Sequence, residues 1–179
     1  MLSQRGLIQR GRVNMQKCLK EIIKQVTALE QQKEEILSDE AQNCIAKYGS
    51  NEEIPKSEYD FGATRNCIKD IDAKTRRLRH ELHHANATVQ IPEFGMTIGE
   101  CIILMAQLSK EKALLTRMAR REKKERRQPS FGNTVEWVVL NYDKDECRKR
   151  LKEVGDEITS IQIAIDRINL THMVDVEAF

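Results

Sequence analysis

The stretch CRKRLKEVGDEITSIQIAIDRI, residues 147–168, decides the fold. Within it Cys147, Leu151, Val154, Ile158, Ile161, Ile165 and Ile168 recur in steps of four and three. No polar residue interrupts that series before His172. An α-helix makes two turns in about seven residues, so the spacing lines these side chains along one narrow stripe. Asp143 stands before the stripe as an N-cap, since its carboxylate can accept from the free N–H groups of the first turn.

Working outward, three more segments show the same rhythm. Ile98, Cys101, Met105, Leu108, Lys112, Leu115 and Ala119 form a seam that starts behind Thr97, with Glu100 at the capping-box distance, and should stop before Pro129. Ile68, Ile71, Thr75, Leu78, Leu82, Ala85 and Val89 predict a helix from Ser57 or Asp60 to Val89, ended by Pro92 and Gly95. Met15, Leu19, Ile22, Val26, Leu29, Lys33 and Ile36 predict one from an Asn14 cap to Tyr48, ended by Gly49. Residues 49–62, with Pro55, read as a loop. Residues 134–142, TVEWVVLNY, are β-branched and aromatic and predict a short strand near 134–141.

The expected fold class is therefore all-α: two antiparallel helical hairpins, coiled-coil-like, with four long helices. Residues 1–13 read as a disordered basic leader, 14–90 as the first hairpin and 96–174 as the second. The hairpins read as copies. A shift of 79 carries Leu29, Lys33 and Ile36 onto Leu108, Lys112 and Leu115. A shift of 83 carries Ile68, Ile71 and Leu82 onto Leu151, Val154 and Ile165, and Asn86-Ala-Thr88 onto Asn169-Leu-Thr171. Lys33 and Lys112 are the polar residues shared by both seams; a long stem can pack inside while the ammonium reaches water.

Composition agrees with narrow seams. Of 179 residues, 32% are charged and only 4% aromatic, and the net charge of +2 is near balance. The five cysteines are odd in number, widely spaced and form no C-x-x-C, which argues against a disulfide framework or a cysteine-rich zinc site and suits a reducing, cytoplasmic setting. No apolar run approaches the roughly 18 residues that span a bilayer.

Four groups of residues carry functional expectations. Cys101, Ile102, Ile103, Leu104, Met105 and Ala106 make the start of the third helix apolar on all sides, so more than one side should be covered, either by the other hairpin in a four-helix bundle or by a second chain. Together with Val135, Trp137 and Val139 they are the expected oligomer contact. His80-Glu-Leu-His-His84 matches H-E-x-x-H, the spacing that puts two zinc ligands one turn apart. Here Leu78 and Leu82 define the buried stripe, which turns His80 and His84 outward and limits the metal reading to a surface candidate. Arg117, Arg120, Arg121, Lys123, Lys124, Arg126 and Arg127 set seven cations against Glu122 and Glu125. Such a run can contact phosphates. It also offsets the negative pole of a helix end, and no aromatic residue interleaves with it to stack bases. No phosphate loop, Rossmann fingerprint or nucleophile–base motif is present.

Met96-Thr-Ile-Gly-Glu-Cys-Ile at a helix start, Leu104 to Met118 continuing it, Asp156-Glu-Ile-Thr-Ser-Ile-Gln162 and Ile168-Asn-Leu-Thr171 resemble the septicolysin-like family of bacterial helical-hairpin proteins. The resemblance covers about Leu78 to Val176. It departs where the family pattern has Trp after the terminal Asn and this chain has Leu170. It implies a helical-hairpin fold and no catalytic residues, and the family name suggests membrane activity. The expected function is a non-enzymatic, self-associating scaffold or interaction module without cofactors. Its expected partner is a further copy in a dimer or larger assembly, rather than nucleic acid or membrane. A membrane-active protein and a nucleic-acid binder acting through 117–127 are the alternatives.

Overall fold

The computed structural model describes residues 14–127 and 135–177. The chain divides into two compact units, residues 1–85 with 168–179 and residues 86–167. The described elements are β1 (Asn14–Cys18), α1 (Leu19–Asn43), α2 (Phe61–Thr88), β2 (Gln90–Ile91), β3 (Met96–Thr97), α3 (Ile98–Arg120), β4 (Lys124–Arg127), β5 (Glu136–Val139), α4 (Lys144–Thr171) and β6 (Met173–Glu177). The mostly helical architecture with four long helices is as expected, and the strand near 134–141 is present as β5. The strands pair as three antiparallel two-stranded ribbons, β1 with β6, β2 with β3 and β4 with β5.

In the first unit α1 and α2 run antiparallel. Ion pairs join Glu30 to Arg79, Lys33 to Asp72 at 2.7 Å, and Glu40 to Arg65, so numbers rise on one helix as they fall on the other. Leu19, Ile22, Val26, Ile68, Ile71, Leu78 and Ala85 are buried in this unit, as is Val176 of β6. Removing one such aliphatic side chain from water contributes about 1.5–3 kcal/mol.

Asn14–Cys18 is a strand, not the first turn of α1. Met15 lies opposite Val176 in the β1–β6 register, and its side chain is exposed instead of joining the helical seam. The ribbon's hydrogen bonds to a strand more than 150 residues away satisfy backbone groups that a helix would satisfy locally. Cys18 then caps α1, its N–H donating to the Glu21 carboxylate at 2.8 Å. At the other end α1 stops at Asn43, short of Tyr48. The Asn43 side chain donates to the Asp39 carbonyl and the Cys44 N–H to that of Glu40.

In the second unit α3 and α4 are likewise antiparallel. The Arg150 guanidinium donates to Glu111 at 2.8 and 3.1 Å, and the Cys147 thiol donates to the Leu115 carbonyl at 3.6 Å. Ile91, Ile98, Cys101, Leu108, Cys147, Val154, Ile161, Ala164 and Ile165 are buried here. The β2–β3 turn closes through N–H groups of Phe94 and Gly95 on the Ile91 carbonyl, with Gly95 at φ 60°, where a side chain would be strained. A second departure falls at the end of α3. It stops at Arg120, and Lys124–Arg127 form β4 instead of extending the helix towards Pro129. The apolar seam has run out by then, so nothing rewards another helical turn, whereas β5 offers a ladder of backbone partners.

The offsets between the helices also hold for the ribbons and caps. Cys18 with Glu21 falls on Thr97 with Glu100, both capping boxes. In β1–β6, Cys18 faces Met173 and Lys17 faces Val174; the shifts of 79 and 83 turn these into Thr97 facing Gln90 and Met96 facing Ile91, the observed β2–β3 register.

Candidate functional site

The start of α3 is fixed tightly at its N-terminus. The Thr97 hydroxyl accepts from the Glu100 N–H at 3.2 Å, and the Glu100 carboxylate accepts from the Thr97 N–H at 2.7 Å and hydroxyl at 2.9 Å. These bonds hold the Glu100 carboxyl below its ordinary pKa. Beyond the cap, Ile98, Cys101 and Leu108 turn inward, and burial pushes the Cys101 thiol up. Cys101 thus belongs to the chain's own core. Leu104 and Met105 are half-buried. Ile102 keeps 41% and Ile103 60% of its surface in contact with solvent, and Ala106 is exposed as well. Within the second unit the one facing helix, α4, screens one stripe of α3, and Ile102 and Ile103 lie outside that stripe. On α4, Ile163 is also exposed. Ile23, which the shift of 79 carries onto Ile102, is 43% exposed.

The basic stretch does not stay on one element. Arg117 and Arg120 lie in the last turn of α3, and Arg121 caps it with its N–H on the Met118 carbonyl. The Tyr142 hydroxyl donates to that same carbonyl at 2.8 Å, tying the end of α3 to the residue before the Asp143 cap. Lys123 accepts from the Leu140 N–H, and the ribbon begins there. Asp143 accepts from the N–H groups of Asp145 and Glu146, which, with Lys123 nearby, lower its pKa.

In the β4–β5 ribbon, Lys124 faces Val139, Glu125 faces Val138, Arg126 faces Trp137 and Arg127 faces Glu136. Facing residues share a side of the ribbon and successive residues alternate, so Lys124, Arg126, Trp137 and Val139 lie on one side. The Lys124 ammonium sits 4.3 Å above the centre of the Trp137 ring, as that assignment requires. All eight ribbon side chains are exposed, Trp137 by 58%. Val135, outside the strand, is half-buried. The basic stretch thus acquires an aromatic neighbour that its own sequence lacks. The signal in the sequence is the β-branched and aromatic run at 134–142, which predicts a strand and an exposed contact surface without showing what the strand pairs with.

The two seam lysines differ. Lys33 is half-buried and paired with Asp72, a partner unreadable before α1 and α2 are paired. Lys112 is exposed, and its Nζ would lie 3.8 Å from a Cβ at Gly155. Gly155 is where the shift of 83 places Asp72. His80, His83 and His84 are exposed on α2. His80 and His83 border an open depression with Asp72, Thr75, Arg76 and Arg79, where two guanidinium groups oppose a cation. Among the described residues no three His, Cys, Asp or Glu are grouped to hold a metal, so His80 and His84 find no third ligand there. No helix among them is long and apolar enough to cross a membrane.

No protein-family profile matches the chain, and no curated protein matches it. Among solved structures it resembles the crystal structure of a functionally unknown conserved protein from Corynebacterium diphtheriae. The TM-score is 0.67 at 15% identity, over 89% of this chain and 99% of that one. At that identity the likeness is one of fold.

Proposed function

We propose that the chain is a non-enzymatic helical interaction module, cytoplasmic and self-associating through the apolar start of α3. The observation that carries this reading is the exposure of Ile102 and Ile103 about one helical turn beyond the capping box that opens α3. Two neighbouring isoleucines on an ordered helix form a ready contact with little side-chain entropy left to lose. Exposed Ile163 on α4 and Ile23 on α1 add apolar surface of the same kind. The correspondence of caps and ribbon registers supports reading the hairpins as copies, in which case Ile23 and Ile102 are one feature used twice.

Ile103 has 60% of its surface left to bury, which contributes about 1–2 kcal/mol, and a two-fold contact counts it in both copies, so losing it should weaken association by about 2–4 kcal/mol. Light scattering behind size exclusion tests this. The wild type should exceed the 20.7 kDa of one chain at micromolar concentration, and Ile103→Asp should return it to that mass with unchanged helical circular dichroism. A wild type that remains a monomer refutes the reading.

A further inference from the structure

The β4–β5 ribbon segregates its charge. One side carries Lys124 and Arg126 with Trp137 and Val139, and no acid; the other carries Glu125, Arg127 and Glu136 with Val138. Arg127 faces Glu136 directly, so the second side is compensated and the first is not. Lys124 and Arg126 are two residues apart, about 6.8 Å along the strand, a spacing comparable to that of neighbouring phosphates on an extended single strand. Trp137 stands across from Arg126 with its indole in solvent, its ring engaged only at Lys124 among the ring contacts of the described residues.

We infer that this side of the ribbon binds single-stranded nucleic acid. Lys124 and Arg126 hold successive phosphates, and an unpaired base stacks on Trp137. Cations flanking a solvent-facing indole are the two parts of a sequence-tolerant single-strand site. A duplex fits worse because its bases are already stacked on one another. An anionic lipid surface shares the phosphate chemistry but rewards buried apolar area, of which this side offers only Trp137 and Val139. Arg117, Arg120, Arg121 and Lys123 precede the ribbon and add positive potential along the approach. The surface is separate from Ile102 and Ile103, so it stands or falls independently of self-association.

Trp137 is the only tryptophan in the chain, so its fluorescence reports on this ribbon alone. Titrating the full chain with oligothymidylate should quench that emission, and the anisotropy of a labelled oligonucleotide should give the affinity. Trp137→Ala should weaken binding roughly 5- to 150-fold, the range for one stacked base. Lys124→Gln with Arg126→Gln should flatten the slope of log affinity against log salt by about 1.4, two phosphates at about 0.7 each. Arg127→Gln, on the compensated side, should change affinity less than Arg126→Gln. The substitutions are on exposed side chains, and an unchanged melting temperature shows that each variant is folded. Any of three results overturns the inference: duplex of equal length binding as tightly as single strand, folded Trp137→Ala binding undiminished, or phosphatidylserine vesicles binding where oligonucleotide does not.

Discussion

Replacing Gly155 by Asp would give Lys112 the partner that Lys33 already has. A Cβ at residue 155 would meet nothing closer than Lys112 Nζ at 3.8 Å and Cε at 3.9 Å, which is ordinary contact, so there is no steric penalty. Glycine inside a helix costs about 0.8–1.0 kcal/mol relative to alanine, and aspartate recovers roughly a third of that. The ion pair adds little. The Lys33 and Asp72 side chains are 33% and 47% exposed, and water screens a pair of that kind to about 0.2–1 kcal/mol. Gly155→Asp should therefore stabilise the protein by about 0.5–1.3 kcal/mol, and Gly155→Ala by about 1 kcal/mol. Each kcal/mol corresponds to about 2–4 °C in a chain of this size. The assay is thermal unfolding followed by circular dichroism, run as a double-mutant cycle with Lys112→Met. The aspartate gain should shrink in 1 M salt and fall to the propensity part, about 0.3 kcal/mol, in the Lys112→Met background, while the alanine gain should persist in both. Destabilisation by aspartate, or a coupling of zero beside a measurable Lys33–Asp72 coupling, would refute the equivalence of the two lysine sites.

Leu19→Ala and Ile98→Ala occupy equivalent, almost fully buried places at the starts of α1 and α3, and each should cost about 2–5 kcal/mol by urea denaturation. The Glu21 and Glu100 carboxyls are both held below the glutamate value of 4.5, chiefly by the backbone N–H groups of Cys18 and Thr97. Their contribution is therefore complete above pH 4.5 and lost as pH falls from there through the lowered folded values. Melting temperature should drop over that acid range, and Glu21→Gln with Glu100→Gln, which keeps an acceptor but removes the titration, should flatten the drop. Thiol labelling should find Cys44 and Cys67 first, because they are exposed, and reach Cys101 and Cys147 only on unfolding, because they are buried. Early labelling of Cys101 would contradict the α3–α4 packing.

Much of the helical framework was legible because it depends on local rules. The stripe through Val154, Ile161 and Ile165 is buried as the spacing implies, and the Thr97–Glu100 cap opens α3 as the spacing implies. The ends of α1 and α3 were not legible. Asn14 is an acceptable cap, Met15 continues the apolar spacing, and Lys124 to Arg127 are good helix formers. Each is nevertheless in a strand, because its backbone partner lies at 173–177 or 136–139.

The candidate surfaces divide in the same way. The apolar composition of 101–106 is plain in the sequence, but only the packing shows that Cys101 goes inward and Ile103 outward. The seven cations at 117–127 are plain as well, and so is the lack of an aromatic among them. By itself the sequence determined four long helices, the Thr97 and Asp143 caps and the places where charge and apolar surface concentrate, since periodicity acts over a few residues. The tertiary structure alone decided that Trp137 stands against Lys124 and Arg126, because strand pairing joins residues across a connection that no local rule spans.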